Sequence, residues 1–310
     1  MAASLRPESS PQIAIFTDEP GWHGRNLKAW FAGQGLPAQF ISLKDCHVDL
    51  ANSREGLVIP HFESQIPRGA FVRGIPGGSL EEIVLRLDFL HVLHSAGCAV
   101  FNNAETIERT VDKARTSLML RQQQVPTPRT FVSENNDRTR SYLSEALADG
   151  RTQVKKPLFG SQGKGLSRIT DLTEFNALLP GEVAYLQDFV APIDTAYRDY
   201  RVMVVDGRAV AAMERISHHW ITNRAQGADC AAVCIDEELA HIAVRAAAAV
   251  GADYAGVDLL RGADGVWLVT EVNGIPAWQG LQRASGIDVT DAIGQAFMRR
   301  LGADRFTASG

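Results

Sequence analysis

The segment VKKPLFGSQGKGLSRI, residues 154–169, constrains this chain more than any other. A lysine-bearing extended entry leads into glycines at 160, 163 and 165, and the exit LSRI alternates in polarity as a strand does. Glycines this close together let backbone N–H groups approach a phosphate. Neither common phosphate motif fits. A P-loop carries Lys and then Ser or Thr directly after its second glycine, and here Gly165 is followed by Leu166. The dinucleotide fingerprint opens a helix, whereas this loop opens a strand. Alternation along the entry strand also sends Lys155 and Lys156 to opposite faces, so only one of them can face a ligand.

The bulk composition narrows the field. A chain of 310 residues is too long for one small core and fits two or three subdomains. A formal charge of -5 gives no electrostatic footprint for nucleic acid or an anionic membrane. Cys46, Cys98, Cys230 and Cys234 form no CxxC pair, which favours a reducing compartment and disfavours a cysteine metal site. No apolar run has the length of a membrane span. The opening MAASLRPESSPQ lacks the apolar core of a signal peptide and reads as a flexible tail over residues 1–10. Together these features predict a cytoplasmic protein.

The periodicities predict an α/β start. Strands are expected in QIAIFT, AQFISL, GAFVRG and CAVFNN, with helices in RNLKAWFAGQG and LEEIVLRLDFLHVLHSAG, the second capped by Ser79. That alternation predicts a Rossmann-like parallel sheet over residues 11–102. Beyond it the pattern turns α+β. One helix is expected over ETIERTVDKARTSLMLRQQQ, ending before the prolines of VPTPRTFV, and another over RSYLSEALADG. Two hairpins follow, DYRVMVVDGRAVAAMERIS around Asp206-Gly207 and YAGVDLLRGADGVWLVTEVNG around RGADG. Helices are expected in DEELAHIAVRAAAAVG and VTDAIGQAFMRRLG. A linker at Pro192 splits this portion near residue 190.

The second hairpin carries the other chemical signal. Glu271 and Asn273 are two apart on one strand and share a face, and Asp258 lies on the strand before them. The surrounding residues are apolar, so two carboxylates there repel and are costly to keep ionised unless a cation joins them. Two carboxylates and an amide suit a hard ion such as Mg²⁺ better than zinc. Taken alone, Glu271 and Asn273 read equally well as strand-end polar residues facing solvent.

Both signals, taken with VDKARTSLMLRQQQVPTPRT, YLQDFV, DYRVMVVDGRAVAAMER, TNRAQGA, AGVDLL and TEVNGIPAWQG in this order, make the chain resemble the ATP-grasp superfamily, and within it the RimK-like carboxylate–amine ligases. The resemblance runs from about residue 70 to 290. It implies a Rossmann-like pre-ATP-grasp domain over 11–102 and two ATP-grasp lobes over 103–190 and 191–305. ATP and Mg²⁺ are implied, with Mn²⁺ as an alternative. Lys113 and Lys156 are implied at the nucleotide phosphates, and Gly160, Ser161, Gln162 and Gly163 in the flap that covers them. Gln187, Asp188, Phe189 and Val190 correspond to the adenine-binding linker. Asp199 is implied near the ribose, Asn223 near the phosphates, and Arg215 at an acyl phosphate. Asp258, Glu271 and Asn273 are implied as Mg²⁺ ligands.

The chain departs from the RimK pattern at Ile221, where the family carries an arginine, and at Gln226–Gly227–Ala228. RGIPGGS and the WITN segment are similar to the branch that adds glutamate to C1 coenzymes such as tetrahydromethanopterin. The implied reaction is ATP-dependent amide formation through an acyl phosphate, with L-glutamate as the amine and a carboxylate-bearing small molecule, coenzyme or peptide terminus as acceptor. A homo-oligomer is in keeping with the family. A phosphotransferase on the same fold and a silent nucleotide-binding regulator are the alternatives. Trp220 and Trp278, near the motif positions, are candidates for the acceptor pocket.

Overall fold

The computed structural model describes residues 12–51, 56–62, 65–160, 163–222 and 228–307. The chain divides into two compact units, Met1–Glu105 with Asp288–Gly310, and Thr106–Ile287.

The first unit contains β1 (Ile13–Phe16), α1 (Gly21–Gly33), β2 (Ala38–Ile41), the short ladder β3 (His47–Val48) and β4 (Leu57–Val58), β5 (Gly69–Val72), α2 (Leu80–Ser95) and β6 (Ala99–Phe101). Its main sheet is parallel throughout, in the order β2-β1-β5-β6. Strands β1 and β5 are wholly buried, as their unbroken apolar runs require of a sheet covered on both faces. Ser79 caps α2 as expected, in a capping box with Glu82.

Helix α3 (Ala104–Val111) carries the chain from the first unit into the second, and α4 (Lys113–Gln122) follows it there. One continuous helix is expected here, and the structure corrects that. Asp112 leaves helical geometry at φ -89° and ψ 103°, and its carboxylate accepts the N–H groups of Ala114 and Arg115. An acidic N-cap restarts the helix so that Lys113 stands in its first turn.

Next come β7 (Thr130–Ser133), α5 (Asn136–Ala148), β8 (Gln153–Lys156), β9 (Ser167–Ile169) and β10 (Ala184–Asp188). They form an antiparallel sheet in the order β7-β10-β8-β9. Leu143 of α5 packs on Ile169, Phe175, Ala184 and Leu186 behind it.

The five-stranded sheet contains β11 (Tyr197–Val205), β12 (Arg208–Ser217), β13 (Asp229–Ala232), β14 (Tyr254–Arg261) and β15 (Trp267–Asn273), in the order β13-β12-β11-β14-β15. Asp206 and Gly207 make the β11–β12 turn with φ of 49° and 69°, the paired positive values a type I′ turn needs. Helix α6 (Glu237–Val250) lays Leu239, Ile242, Ala243, Ala246 and Val250 against Val202, Val204, Val257, Leu259, Val269 and Val272. With these apolar residues committed to one face, the alternate residues of β11, β14 and β15 turn to the other. A short helix, α7 (Gln279–Ser285), follows β15.

The last helix, α8 (Val289–Thr307), is grouped with the first unit, whereas the sequence assigns everything to residue 305 to the last lobe. Phe297 supplies the reason. Its ring packs among Phe31, Phe71 and Phe101. Gly69 of β5 makes room, since a Cβ there would lie 2.5 Å from that ring. The parallel sheet of the first unit and the two antiparallel sheets of the second are the α/β and α+β parts that the sequence predicts.

Candidate active site

The site is built on cross-strand register. Opposite Arg201 on β11 lie Met213 on β12 and Asp258 on β14, and opposite Asp258 lies Glu271 on β15. Two residues back along β11, Asp199 faces Arg215. A bulge between Asp258 and Leu259 pairs them with Glu271 and Val269, leaving Thr270 as the extra residue. That bulge puts Val269 in the core and Glu271 and Asn273 on the opposite face, although all three share one parity.

The charged groups interlock. Arg201 donates from Nε and Nη2 to the two oxygens of Asp258 at 2.7 and 2.5 Å. Arg215 makes the same fork to Asp199 at 2.5 and 2.8 Å, and its Nη2 also stands 3.1 Å from Asp258 Oδ1. Thr222 Oγ1 donates to Asp199 at 2.7 Å, and Asn273 Nδ2 to Asp258 at 3.3 Å. Arg215 is 4% exposed and Asp258 6%, so these pairs are desolvated. Burial pushes the Asp258 carboxyl up, but the Arg201 and Arg215 guanidiniums outweigh it and hold its pKa below the usual range. Burial pushes Glu271 up, and the negative Asp258 beside it adds to the rise.

Lysines approach from the four-stranded side. Lys156 Nζ donates to Gln187 Oε1 at 2.6 Å, and the Gln187 amide donates onward to Thr130 Oγ1. Burial pushes the Lys156 pKa down to about 8. Lys113 Nζ donates to the Gly160 carbonyl at 2.7 Å and stands 3.9 Å from Glu271. Lys155 turns the other way, toward the Phe175 ring. In the glycine loop Gly163 and Gly165 hold φ of 68° and 74°. A Cβ on Gly165 would lie 2.8 Å from the Pro157 ring, so the turn needs glycine twice over.

Two cavities meet over this cluster and share Lys156, Gly163, Arg215, Asp258 and Glu271 in their walls. The smaller, about 160 Å³, also takes in Gln187, Asp188, Phe189, Val190, Asp199 and Trp220. Phe189 contacts Tyr197 and Trp220 edge-on, and Arg168 lies 4.6 Å over its ring. The N–H groups of Asp188 and Phe189 are engaged by the carbonyls of Arg129 and Thr152. The Asp188 carboxylate is engaged by Arg151 and Gln153. The larger cavity, about 400 Å³, takes in Lys113, Gly160, Arg201, Met213, Asn273, Ile275, Pro276 and Leu281.

Most of the expected residues thus converge. Ser161, Gln162 and Asn223 lie outside the described residues. Trp278 is fully buried and belongs to the packing, whereas Trp220 lines the smaller cavity. Arg201 is the charged residue that the sequence reading does not single out. Its signal was available, because it sits two residues after Asp199 on the same strand and shares its face. Asp258, Glu271 and Asn273 fit a hard divalent cation. Asp258 and Glu271 are paired across β14 and β15, the Asn273 amide touches Asp258, and the raised pKa of Glu271 marks negative charge that a cation would relieve. Among the described residues no group of three His, Cys, Asp or Glu side chains is placed to hold a metal, so the amide of Asn273 is needed to complete a set.

Known proteins match this chain along most of its length. The RimK-like ATP-grasp domain matches residues 110–297. The tetrahydromethanopterin:alpha-L-glutamate ligase of Methanococcus maripaludis is 37% identical over 295 residues, covering 91% of this chain and 96% of that protein. The alpha-aminoadipate–LysW ligase LysX of Saccharolobus solfataricus is 28% identical over 209 residues, covering 64% of this chain and 74% of that protein. Among solved structures, the ATP-grasp ligase PsnB with precursor peptide PsnA2 and AMPPNP superposes with a TM-score of 0.73 at 20% identity, covering 96% of this chain and 100% of that one.

Proposed function

This chain belongs to the RimK-like ATP-grasp family and is an ATP-dependent carboxylate–amine ligase, and on that premise we propose that it joins L-glutamate to a carboxylate of a C1-type coenzyme. The observation that carries the reading is the meeting of Lys113, Lys156 and Arg215 with Asp258, Glu271 and Asn273 around two adjoining cavities. Extensive similarity to the tetrahydromethanopterin:alpha-L-glutamate ligases supports the choice of acceptor and amine.

In this reading the smaller cavity takes the nucleotide. The base lies between the Phe189 and Trp220 side and Leu260, and meets the linker at Val190, because the N–H groups of Asp188 and Phe189 are spent inside the fold. Lys156 and Lys113 hold the phosphates under the glycine loop. Asp258, Glu271 and Asn273 would hold Mg²⁺ or Mn²⁺, which would supply charge neutralisation on the phosphates. The acid enters the larger cavity, and its carboxylate oxygen attacks the γ-phosphorus while ADP departs. Arg215, fixed by Asp199, offers its guanidinium to the charge that develops on the transferring phosphoryl and on the acyl phosphate. The glycine loop excludes water from an intermediate that hydrolyses readily. The glutamate nitrogen then attacks the acyl carbon, phosphate leaves, and the amine gives up a proton as the amide forms. Self-association and a cytoplasmic location belong to the same proposal.

The test is ADP release with ATP and Mg²⁺ against a panel of acids (pterin coenzymes, flavin-type coenzymes, glutamate, short peptides), with and without L-glutamate, and masses of the products. Addition of a glutamyl unit to a coenzyme, requiring both acid and amine, is expected. A stable phosphorylated acid formed without amine would overturn the ligase step. Addition to peptides alone would overturn the acceptor.

A further inference from the structure

Resting on the assignment of Asp258, Glu271 and Asn273 as the cation site, we infer that Arg201 competes with the divalent cation for Asp258 and yields the carboxylate to it when the nucleotide binds. Both oxygens of Asp258 are already taken. Arg201 occupies each of them, with Arg215 sharing Oδ1 and Asn273 sharing Oδ2. Asn273 presents its amide nitrogen to Asp258 and to the Gly256 carbonyl, so its oxygen reaches a cation only after the amide rotates. The ligand set is present but configured for a guanidinium.

The charge balance supplies the second argument. Lys113, Lys156, Arg201 and Arg215 surround Asp199, Asp258 and Glu271, so cations outnumber carboxylates at the cluster. A bare divalent ion entering this environment meets like charge in a desolvated site. A triphosphate reverses that sign. The cation and the nucleotide therefore favour each other's binding, and Arg201 is the group the pair displaces. Its freed guanidinium faces the larger cavity, which it lines, and not the smaller one.

The linkage is reciprocal and can be measured without turnover. Mn²⁺ is titrated into the full chain and free Mn²⁺ is followed by electron paramagnetic resonance, with and without ADP, corrected for Mn·ADP in solution. The variants are Arg201→Gln, Arg201→Lys and Asp258→Asn. Wild-type enzyme should hold Mn²⁺ about tenfold or more tighter with ADP than without, within the usual range of coupling. Arg201→Gln should bind Mn²⁺ without ADP about tenfold tighter than wild type, while Arg201→Lys, which keeps the charge, stays near wild type. If Arg201→Gln binds no tighter while Asp258→Asn abolishes binding, the competing role is overturned and the cation site survives. If Asp258→Asn binds as wild type does, the cation site itself is wrong and this inference falls with it. Should Arg201→Gln fail to fold, wild-type enzyme that binds Mn²⁺ equally with and without ADP overturns the inference unaided.

Discussion

The two sheets that frame the site hold their cations in opposite ways. On the five-stranded sheet, Arg201 and Arg215 are forked onto carboxylates of neighbouring strands. On the four-stranded side, the closest partners of Lys156 and Lys113 are a neutral amide and a backbone carbonyl. An incoming phosphate competes with a carboxylate for the arginines and only with a neutral acceptor for the lysines. The lysines are thus placed to receive an anion at small cost, and the arginines are placed to keep buried carboxylates apart. Register fixes the arginine pairs and also the Lys156–Gln187 contact between paired strands β8 and β10, whereas Lys113 reaches the glycine loop from the first turn of α4.

Breaking the arginine side should cost the most. Arg215→Ala leaves Asp199 and Asp258 facing each other in a desolvated site. A loss of roughly 10²–10³ in turnover is expected, along with a loss of about 3–5 kcal/mol in stability from the uncompensated charge. Both are read from steady-state kinetics and chemical denaturation. A variant with near-normal turnover would remove Arg215 from the chemistry.

The lysine side should respond to pH instead. Burial depresses the Lys156 pKa to about 8, so its ammonium is present below that value and lost as pH rises through it. Affinity of the free enzyme for ATP should fall across that window in wild type. Lys156→Met should bind ATP about tenfold or more weakly at neutral pH, the scale of a hydrogen bond to a charged group, and should show no such fall. Calorimetric titration at several pH values decides. Gln187→Leu sharpens the point, because it removes the acceptor of the ammonium while leaving the lysine. The pH at which ATP affinity falls should then move down, and an unmoved profile would mean that Gln187 does not support the charge.

Local signals carry the legible part of this fold. Polarity alternation locates the hairpins, Asp206-Gly207 marks its turn, and the glycine spacing singles out the loop. Glu271 and Asn273 share a face because they are two apart, and Asp258 joins them because the hairpin folds back. Long-range packing hides the rest. Nothing near Thr270 announces the bulge that separates Val269 from Glu271, because it depends on how β15 meets β14. Phe297 reads as an ordinary helix residue until Phe31, Phe71 and Phe101 surround it. Arg201 is legible only in part, since its spacing from Asp199 puts it on the face of the site while its partner Asp258 is 57 positions away.

The smallest effect expected is at Asp112, where the lysine side depends on a local device. The sequence reads as one helix through this point, and the Asp112 carboxylate interrupts it by capping Ala114 and Arg115. Asp112→Ala removes the cap and should cost about 1 kcal/mol in denaturation. If the break serves only stability, ATP affinity should stay unchanged. If it sets the direction from which Lys113 reaches the Gly160 carbonyl, the restored helix carries that ammonium away from the loop. ATP affinity should then drop by more than the lost cap accounts for, while Mn²⁺ binding without nucleotide should not weaken, because the same movement takes a positive charge away from Glu271. The second outcome is the one expected, because the cap precedes Lys113 directly and Asp258 and Asn273 lie on the sheet held by register.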